Sequence, residues 1–467
     1  MLPTQTNALV KILSPTLHLY SYVLRNGINE TPEVLKERRK LFDENLREVA
    51  SHLTSSTGQA GTDIVKLVSI KEERYGSILD FSNVPGECRK SNNDRLYFGT
   101  GIISTRLAAR RINDTYFLRL TRYVPSAKGT QSLDIFENLS EHLGGLQIEL
   151  GQTAILAGII EPQFFTQSTD SIAASCLSNY FSQPVAPDEL IRNEFLDCPF
   201  YILPRSIPVK QFDNYSIESK QLVCLFLYEN EAVEKQADAV YNILQNLLLS
   251  YHKIEFFYSQ SLVLKKILAK QYEAIERQTE DYAEQKWDSQ SLVQLPQRSL
   301  DYYKRLSFLQ DQARLLEVHQ INYRECLERI EQKTGKKPPD FFVEFEKDTI
   351  FYLEQMKADI GFLTPGIQLY EKLMLSVQTQ ISMNDAAIQE RQAKLGQLLT
   401  GAGTAIAIGQ MVSSPATKTL SMYIDKGREE PSVATLWVSA LLTIILSLAI
   451  GYAISVRIYQ WFTRGKL

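Results

Sequence analysis

The pattern of apolar and polar positions changes twice along the chain, and each change marks a different kind of element. Up to about residue 228, apolar residues come in short runs rich in β-branched and aromatic side chains, which is typical of strands. We predict strands over 63–70, 95–104, 115–124, 147–160, 199–203 and 221–228, and helices over 8–24, 132–143 and 188–195. This mixture predicts an α/β or α+β domain over residues 1–228.

From residue 229 the apolar positions follow heptads. One seam begins with Val233, Ala237 and Val240, and its alternating steps of four and three residues continue, with one interruption, to Tyr282. This spacing predicts a helix of about 55 residues or a closely broken pair of helices. A second seam over 302–330 predicts a helix that returns antiparallel after a short connection, so we expect both to pack within the chain.

A third long helix is predicted to begin near Asp340, to break or kink at Pro365 and Gly366, and then to resume. Asn384 occupies its apolar seam, where a polar residue often fixes the register and the number of helices in a coiled coil. We interpret residues 229–394 as a long-helix stalk with coiled-coil character. Its third helix is the one expected to carry the contacts of a homo-oligomer.

The end of the chain has the strongest hydrophobic signal. Residues 433–456 contain no charge and exceed the ~20 helical residues needed to cross a ~30 Å hydrocarbon core. Trp437, Tyr459 and Trp461 lie near the ends of this segment, where aromatic rings prefer the membrane interface. We predict a transmembrane helix over 433–456; the alternative is a buried core helix.

An earlier uncharged segment, 395–414, is less apolar. Small residues recur every four positions along it, at Gly401, Ala405 and Gly409, which is typical of helices whose backbones approach closely. We therefore predict a first transmembrane helix over 395–414 that packs against partner helices. The alternative is a flexible Gly/Ala-rich joint before a single membrane anchor.

Polar residues form a second stripe on the same predicted helix. Gln397, Thr400 and Thr404, which we call the polar stripe, are spaced so that they share one helical face. In a bundle such a face lies toward the interior or a water-filled path rather than toward lipid. Amide and hydroxyl oxygens can hold a hydrated hard cation there through its waters.

Positive charge flanks the two apolar segments. Arg391 and Lys394 precede the first, and the basic tail 457–467 follows the second. Because Lys and Arg are retained on the cytoplasmic side, a hairpin with an outside loop over 415–432 suits both groups. We therefore predict an integral protein of a cell inner membrane or a comparable one, with the bulk of the chain and its tail in the cytoplasm.

The composition of the chain limits the classes of molecule that it can bind. The 467 residues carry a net charge of −4, which argues against nucleic acid because phosphate binding needs a basic face. No basic leader precedes residue 8, so 8–24 is interpreted as a first helix and not as a signal peptide. Five cysteines without C-x-x-C spacing are expected to be reduced and mostly buried. The lipid bilayer is the partner that the sequence indicates most directly.

The order of these elements resembles that of the CorA magnesium-transporter superfamily. In both, a cytoplasmic α/β domain is followed by long antiparallel helices, a first transmembrane segment, a short outside loop, a second segment and a basic tail. For the chain as a whole we predict a fold of class α+β. The resemblance implies a funnel of five chains whose first transmembrane helices line a pore. By position it makes Asn384 and the polar stripe the candidates for pore-lining residues.

The sequence signature of that family is not kept. Its Gly-Met-Asn motif stands at the outer end of the first transmembrane helix, where this chain has Gly409, Gln410 and Met411. Only the glycine matches. The resemblance therefore covers the order of elements over most of the chain, while the selectivity of any pore stays open.

Catalytic motifs are absent from the sequence, which has no phosphate loop, no H-E-x-x-H and no G-x-S-x-G. We predict no enzyme activity and no cofactor, with a bound divalent cation as the alternative. Five arginines concentrate positive charge near two predicted strands: Arg106, Arg110, Arg111, Arg119 and Arg122. They are expected either to bind an anionic small ligand or a partner's acidic patch, or to balance neighbouring acids.

Two functions are compatible with these features. The first is an oligomeric CorA-like ion channel or transporter whose cytoplasmic domain gates the pore. The second is a membrane-anchored sensor or effector, in which the α/β domain binds a ligand or protein partner and no ion is transported. The predicted hairpin and its small-residue face favour the first, and the missing signature favours the second.

Overall fold

The computed structural model describes residues 10–25, 27, 31–55, 69–70, 76–77, 79–80, 96–141, 143, 146–161, 168–207, 219–284, 286 and 293–383. Both predicted transmembrane helices, the outside loop, the basic tail and Asn384 lie outside these residues. The polar stripe, the small residues Gly401, Ala405 and Gly409, and the signature positions Gln410 and Met411 lie outside them as well.

Strands dominate the described N-terminal part of the chain. They are β1 (Lys11–Leu24), β2 (Ser69–Ile70), β3 (Gly76–Ser77), β4 (Leu79–Asp80), β5 (Leu96–Thr100), β6 (Ile103–Ile112), β7 (Thr115–Tyr123), β8 (Gln131–Ser132), β9 (Gly151–Ile160), β10 (Ile191–Phe195), β11 (Cys198–Ile207) and β12 (Ser219–Tyr228). The main sheet has the order β10-β11-β12-β9-β1-β7-β6-β3, with β5 beside β6 and β8 beside β1; β2 and β4 pair separately. Strands β9 and β12 are parallel, whereas β1 is antiparallel to both of its long neighbours.

Three helices cover one face of this sheet: α1 (Pro32–Ser55), α2 (Ile135–Ser140) and α3 (Thr169–Phe181). Successive strand residues point to opposite faces, so alternate side chains of each strand meet these helices. The resulting core joins Leu17 and Leu19 of β1 to Phe42 of α1, Phe136 of α2 and Leu177 of α3. Burying a side chain of this size stabilises the fold by about 1.5–3 kcal/mol.

The opposite face of the sheet packs on the first half of a long helix, α4 (Glu231–Ala283). Tyr20 and Tyr22 of β1 are fully buried on this side. The Tyr22 hydroxyl donates a hydrogen bond to the carbonyl oxygen of Gln245 on α4, at 3.1 Å. The sheet is therefore the middle layer of three, which buries its central strands on both faces.

The helix predicted over 8–24 is wrong, because residues 11–24 form β1. A strand buried on both faces loses the apolar–polar alternation that identifies a strand in sequence, and its continuous apolar run then resembles a buried helix. Pro15 is accommodated at an irregularity where the register shifts between Leu13 and Thr16, and where Ser14 has a φ of 52°. Proline is tolerated in a strand at such a bulge.

The helix predicted over 188–195 is wrong too. A 3-10 turn, Pro187–Glu189, is followed by β10, which pairs antiparallel with β11. Leu196 and Asp197 join the two strands with φ values of 56° and 60°, the geometry of a two-residue hairpin turn. The helix predicted over 132–143 is present as the shorter α2, and α3 had no counterpart in the prediction.

The predicted long helices are present. After α4, which has 53 residues, come α5 (Leu295–Thr334), α6 (Asp340–Leu363) and α7 (Pro365–Met383). The break between α6 and α7 falls at the predicted Pro365, whose ring cannot continue the hydrogen bonding of a preceding helix. The described fold is thus a mixed α+β domain followed by long helices.

One compact unit of the chain comprises residues 1–264 and 308–358. Within it, Tyr251 contacts Phe345 and Tyr258 stacks on Tyr352 with ring centroids 3.9 Å apart, so α4 and α6 run in the same direction. The Tyr323 hydroxyl of α5 donates to the carbonyl oxygen of Phe342 at 3.0 Å. Helix α5 runs antiparallel to both because it connects them.

The second compact unit comprises residues 265–307 and 359–467, of which 285, 287–292 and 384–467 are not described. Here the Tyr302 hydroxyl of α5 donates to the carbonyl oxygen of Leu363, at 2.5 Å, where α6 ends. A β-carbon on Gly366 would overlap the same tyrosine ring. Tyr302 therefore packs closely against the break between α6 and α7.

Within the described part of the chain, no helix has the length and apolar character that crossing a bilayer requires.

Candidate functional site

A cavity of about 320 Å³ lies in the first unit, on the α4 side of the sheet. Its base is formed by side chains that cross-strand pairing places in one row. His18 of β1 is opposite Thr121 of β7, and Thr121 is opposite Arg106 of β6. All three side chains line the cavity, and its rim includes exposed Ser126 after β7. We call this space the sheet cavity.

His18 lies at the base with an exposure of 7%. Its Nδ1 is 3.0 Å from the Thr121 hydroxyl oxygen, whereas its Nε2 has no hydrogen-bond partner among the described residues. Burial, and then the positive charges of Arg119 and Arg106, hold the pKa of His18 well below its usual value. The ring is therefore neutral at physiological pH and presents one uncommitted nitrogen to the cavity.

The sheet brings two of the five predicted arginines together near this base. Arg106 lines the cavity, donates to the Tyr123 hydroxyl at 2.9 Å and lies over the Tyr123 ring. Arg119 is 5.6 Å from the centre of the Tyr20 ring, and a water-sized space lies between Arg106 and Arg119. Stacking on an aromatic ring helps to hold each guanidinium in place.

Of the five arginines, Arg106 is the one that lines the sheet cavity. Arg122 faces away from it and donates to the carbonyl oxygens of Leu139 and Glu141, while Arg111 donates to the carbonyl oxygen of Asn113. Arg110 does not line the cavity either. The prediction of one five-arginine cluster therefore holds only for Arg106 and Arg119.

The opposite wall of the cavity is the first two turns of α4. Asn230 starts the helix, because its side-chain oxygen accepts hydrogen bonds from the backbone N–H groups of Ala232 and Val233. Glu234 and Asp238 follow, one turn apart, and both line the cavity. Within the described residues, neither carboxylate forms a hydrogen bond or an ion pair with another side chain.

Burial and the neighbouring carboxylates of Asp238 and Glu231 raise the pKa of Glu234 from 4.5 to about 7. Burial also raises the pKa of Asp238, against the opposing effect of Arg106 and Arg119. Two acids on the helix wall and the Arg106 guanidinium on the sheet wall give the sheet cavity separated negative and positive walls. Such a site can bind a ligand that carries both charges.

Two tyrosines connect the walls. The hydroxyl groups of Tyr228 and Tyr241 are 2.7 Å apart, and the Tyr241 ring centre is 4.4 Å from that of His18. Both tyrosines are buried and line the cavity. They supply an apolar surface beside the polar groups, as small-molecule sites commonly do.

Glu234 makes the stability of this unit depend on pH. The unfolded carboxyl ionises near 4.5 and the folded one near 7, so the folded state binds more protons between these values and stability falls as the pH rises through them. Because the group is half-exposed, we expect an effect on the order of 1 kcal/mol. Thermal unfolding of a Glu234→Gln variant should lose less stability between about pH 4.5 and about pH 7.5 than the unmodified chain does. A Glu137→Gln variant, at an exposed position of α2, is the control, and equal pH dependence in all three proteins would contradict the assignment.

The predicted pore-lining residues cannot be compared with this site, because they lie outside the described residues. His18, Glu234, Asp238 and Tyr241 were not predicted as site residues. The one signal in the sequence was the pair of acids four residues apart at the start of the first heptad seam.

No group of three or more potential metal ligands occurs among the described residues. The four described cysteines, Cys176, Cys198, Cys224 and Cys326, are buried free thiols.

Comparisons with known proteins leave the family open. No family model matches the sequence, and no curated protein matches it. Among solved structures, the complete structure of the CorA magnesium transporter from Methanocaldococcus jannaschii is similar over 65% of this chain and 89% of that one, at 13% identity and a TM-score of 0.19. A TM-score this low carries no argument about function, so the resemblance still depends on the order of elements along the chain.

Proposed function

We propose that this chain is an oligomeric, CorA-like integral membrane ion channel or transporter with a large cytoplasmic regulatory domain. The observation that carries the proposal is the order of elements. A mixed sheet domain precedes long helices, α7 follows a break at Pro365, and two uncharged segments begin at residues 395 and 433. The polar stripe would line the path, and the basic residues on either side of the hairpin would keep the domain and tail in the cytoplasm.

Exposed apolar side chains on α6 support assembly into an oligomer. Ile350 and Phe351 are 48% and 62% exposed, and Phe362 is 73% exposed. Large apolar residues left in solvent are typical of surfaces that contact another protein. Helix α6 belongs to the third long helix of the sequence, for which a contact between copies was predicted.

The first test is the membrane topology. A Ser421→Cys variant places a thiol in the predicted outside loop, and intact spheroplasts are then treated with a membrane-impermeant thiol reagent. We expect labelling, because two spans place this loop outside the membrane. The four described native cysteines are buried, and a Cys88→Ser background removes the fifth. Labelling only after lysis would mean a single anchor over 433–456 and would exclude the proposed pore.

The second test is ion flux from the full chain in liposomes. Replacing Gln397, Thr400 and Thr404 together by leucine is expected to abolish flux and to leave the oligomer intact, because leucine offers no oxygen to a hydrated ion. Thr443→Leu, in the second predicted span, is the matched control and should retain flux. Unchanged flux in the triple variant would refute the assignment of the polar stripe.

The sheet cavity favours a second candidate function, a membrane-anchored sensor or effector without transport. The missing Gly-Met-Asn signature agrees with this alternative. It predicts that a soluble piece ending near Thr364 folds alone and binds a ligand, and that the intact protein conducts no ions. Flux from liposomes that contain the full chain therefore distinguishes the two candidates.

A further inference from the structure

The sheet cavity has the features of a built ligand site. His18 is more than nine-tenths buried, and its Nε2 has no partner among the described residues. Thr121, which is 4% exposed, fixes the ring from its other side through the contact at Nδ1. His18 lines the cavity, and a ring nitrogen without a protein partner can there form a hydrogen bond to a ligand or to water.

Charge is separated across the same space. Arg106, held by its hydrogen bond to Tyr123, provides a cation on the sheet wall. Glu234 and Asp238 provide two carboxylates on the helix wall, and neither has a hydrogen bond or ion pair with a side chain within the described ranges. An anion alone would meet these carboxylates, and a cation alone would meet Arg106.

We propose that the sheet cavity binds a small zwitterion of amino-acid size. Its carboxylate accepts hydrogen bonds from the Arg106 guanidinium, and its ammonium group lies between Glu234 and Asp238. His18 Nε2 forms a further hydrogen bond to the ligand, and Tyr228 and Tyr241 contact its apolar part. The cavity of about 320 Å³ is at the small end of the range for small-molecule sites, which suits this class.

The binding proposal does not depend on transport. It concerns the described sheet domain alone, so a failure of the labelling or flux experiments would leave it unaffected. It adds a ligand class to either of the two candidate functions.

The test is a thermal-shift and calorimetric titration of the purified full chain with the proteinogenic L-amino acids, each in turn at millimolar concentration. Sodium acetate, methylamine and magnesium chloride are the probes for a simple anion, a simple amine and a divalent cation. We expect at least one amino acid to raise the unfolding temperature and none of the three simple probes to match it.

Single substitutions test the contribution of each wall to ligand binding. Arg106→Met and Asp238→Asn are each expected to weaken binding about tenfold to a hundredfold, the usual effect of losing a charge-assisted hydrogen bond. Arg110→Met, four residues along the same strand but outside the cavity, should bind as the unmodified chain does. Asp238 is exposed, so its amide variant should fold even if Arg106→Met does not.

Several results would overturn the proposal. They are an absence of any shift with amino acids, an equal shift with acetate or with magnesium chloride, and binding that Asp238→Asn leaves unchanged. Equal losses in Arg110→Met and Arg106→Met would also overturn it, because the effect would then not belong to the cavity.

Discussion

Replacing Glu149 by alanine is expected to lower the free energy of unfolding of the sheet domain by about 3–5 kcal/mol. Glu149 precedes β9 and pairs with Arg38 of α1, with 2.5 Å between Oε1 and Nε. Arg38 is 1% exposed and Glu149 is 4% exposed. The substitution removes this anion from a buried guanidinium, so the desolvation cost of that charge is offset less well.

The same carboxylate also holds β1. Glu149 Oε2 accepts a hydrogen bond from the backbone N–H of Leu24 at 3.0 Å, so alanine deprives the end of β1 of an acceptor as well. Amide hydrogen exchange in β1 and α1 measures the loss, because the slowest amides there exchange only when the domain opens.

Two controls define the cause. Arg192→Ala breaks the ion pair with Asp170, whose side chains are 60% and 39% exposed, and should cost less than about 1 kcal/mol. An Arg38→Met, Glu149→Leu double variant should recover most of the loss, since apolar residues of similar volume often replace a buried pair at little cost. A Glu149→Ala effect as small as that of Arg192→Ala would contradict the assignment.

The sequence predicted the long helices well, because an apolar seam with heptad spacing is a local property. The seam from Val233 to Tyr282 corresponds to α4, and the proline at residue 365 marks the break before α7. Both features depend on residues close together in the chain. Such elements can be predicted without knowing which other parts of the chain pack against them.

Strand β1 shows where that approach fails. Its assignment required knowing that helices cover both faces of the sheet, a tertiary fact that no local pattern contains.

The prediction missed the hairpin at Leu196 and Asp197 for a different reason. Its two positive φ angles are usually taken by Asn-Gly or Asp-Gly, and here leucine occupies the first position.

The sheet cavity was even harder to predict from the sequence. His18, Thr121 and Arg106 become neighbours only through the register of β1, β7 and β6. The same alternation sends Arg119 and Arg122 of one strand to opposite faces, so a cluster of arginines in sequence is divided in space. Register depends on hydrogen bonds between strands that are distant along the chain.

Gly151→Ala is expected to destabilise the sheet domain at the upper end of the roughly 1–3 kcal/mol that overpacking costs. A β-carbon at this position would overlap Nδ1, Cγ and Cβ of His252 on α4. The ring is anchored by the contact of its Nε2 with the Thr153 hydroxyl, at 2.7 Å, and is fully buried. Gly151 lies in β9, which is held between β1 and β12, so the backbone has little room to shift.

A second glycine of the same strand supplies the control. A β-carbon on Gly158 would overlap mainly the end of the Ile12 side chain, which can change its rotamer, so Gly158→Ala should cost less. Thermal unfolding followed by circular dichroism compares the two variants. Equal effects would mean that loss of glycine from β9, and not the contact with His252, causes the change.

Rescue by a smaller partner identifies the contact itself. His252→Ala removes the ring atoms that the new methyl group would overlap and leaves only Cβ near it. The Gly151→Ala, His252→Ala double variant should therefore be more stable than the sum of the two single effects implies, with a coupling of about 1 kcal/mol or more. Additive effects would show that β9 and α4 relax independently. In that case the close approach of this helix to the sheet, which also sets the helix wall of the cavity, would not depend on Gly151.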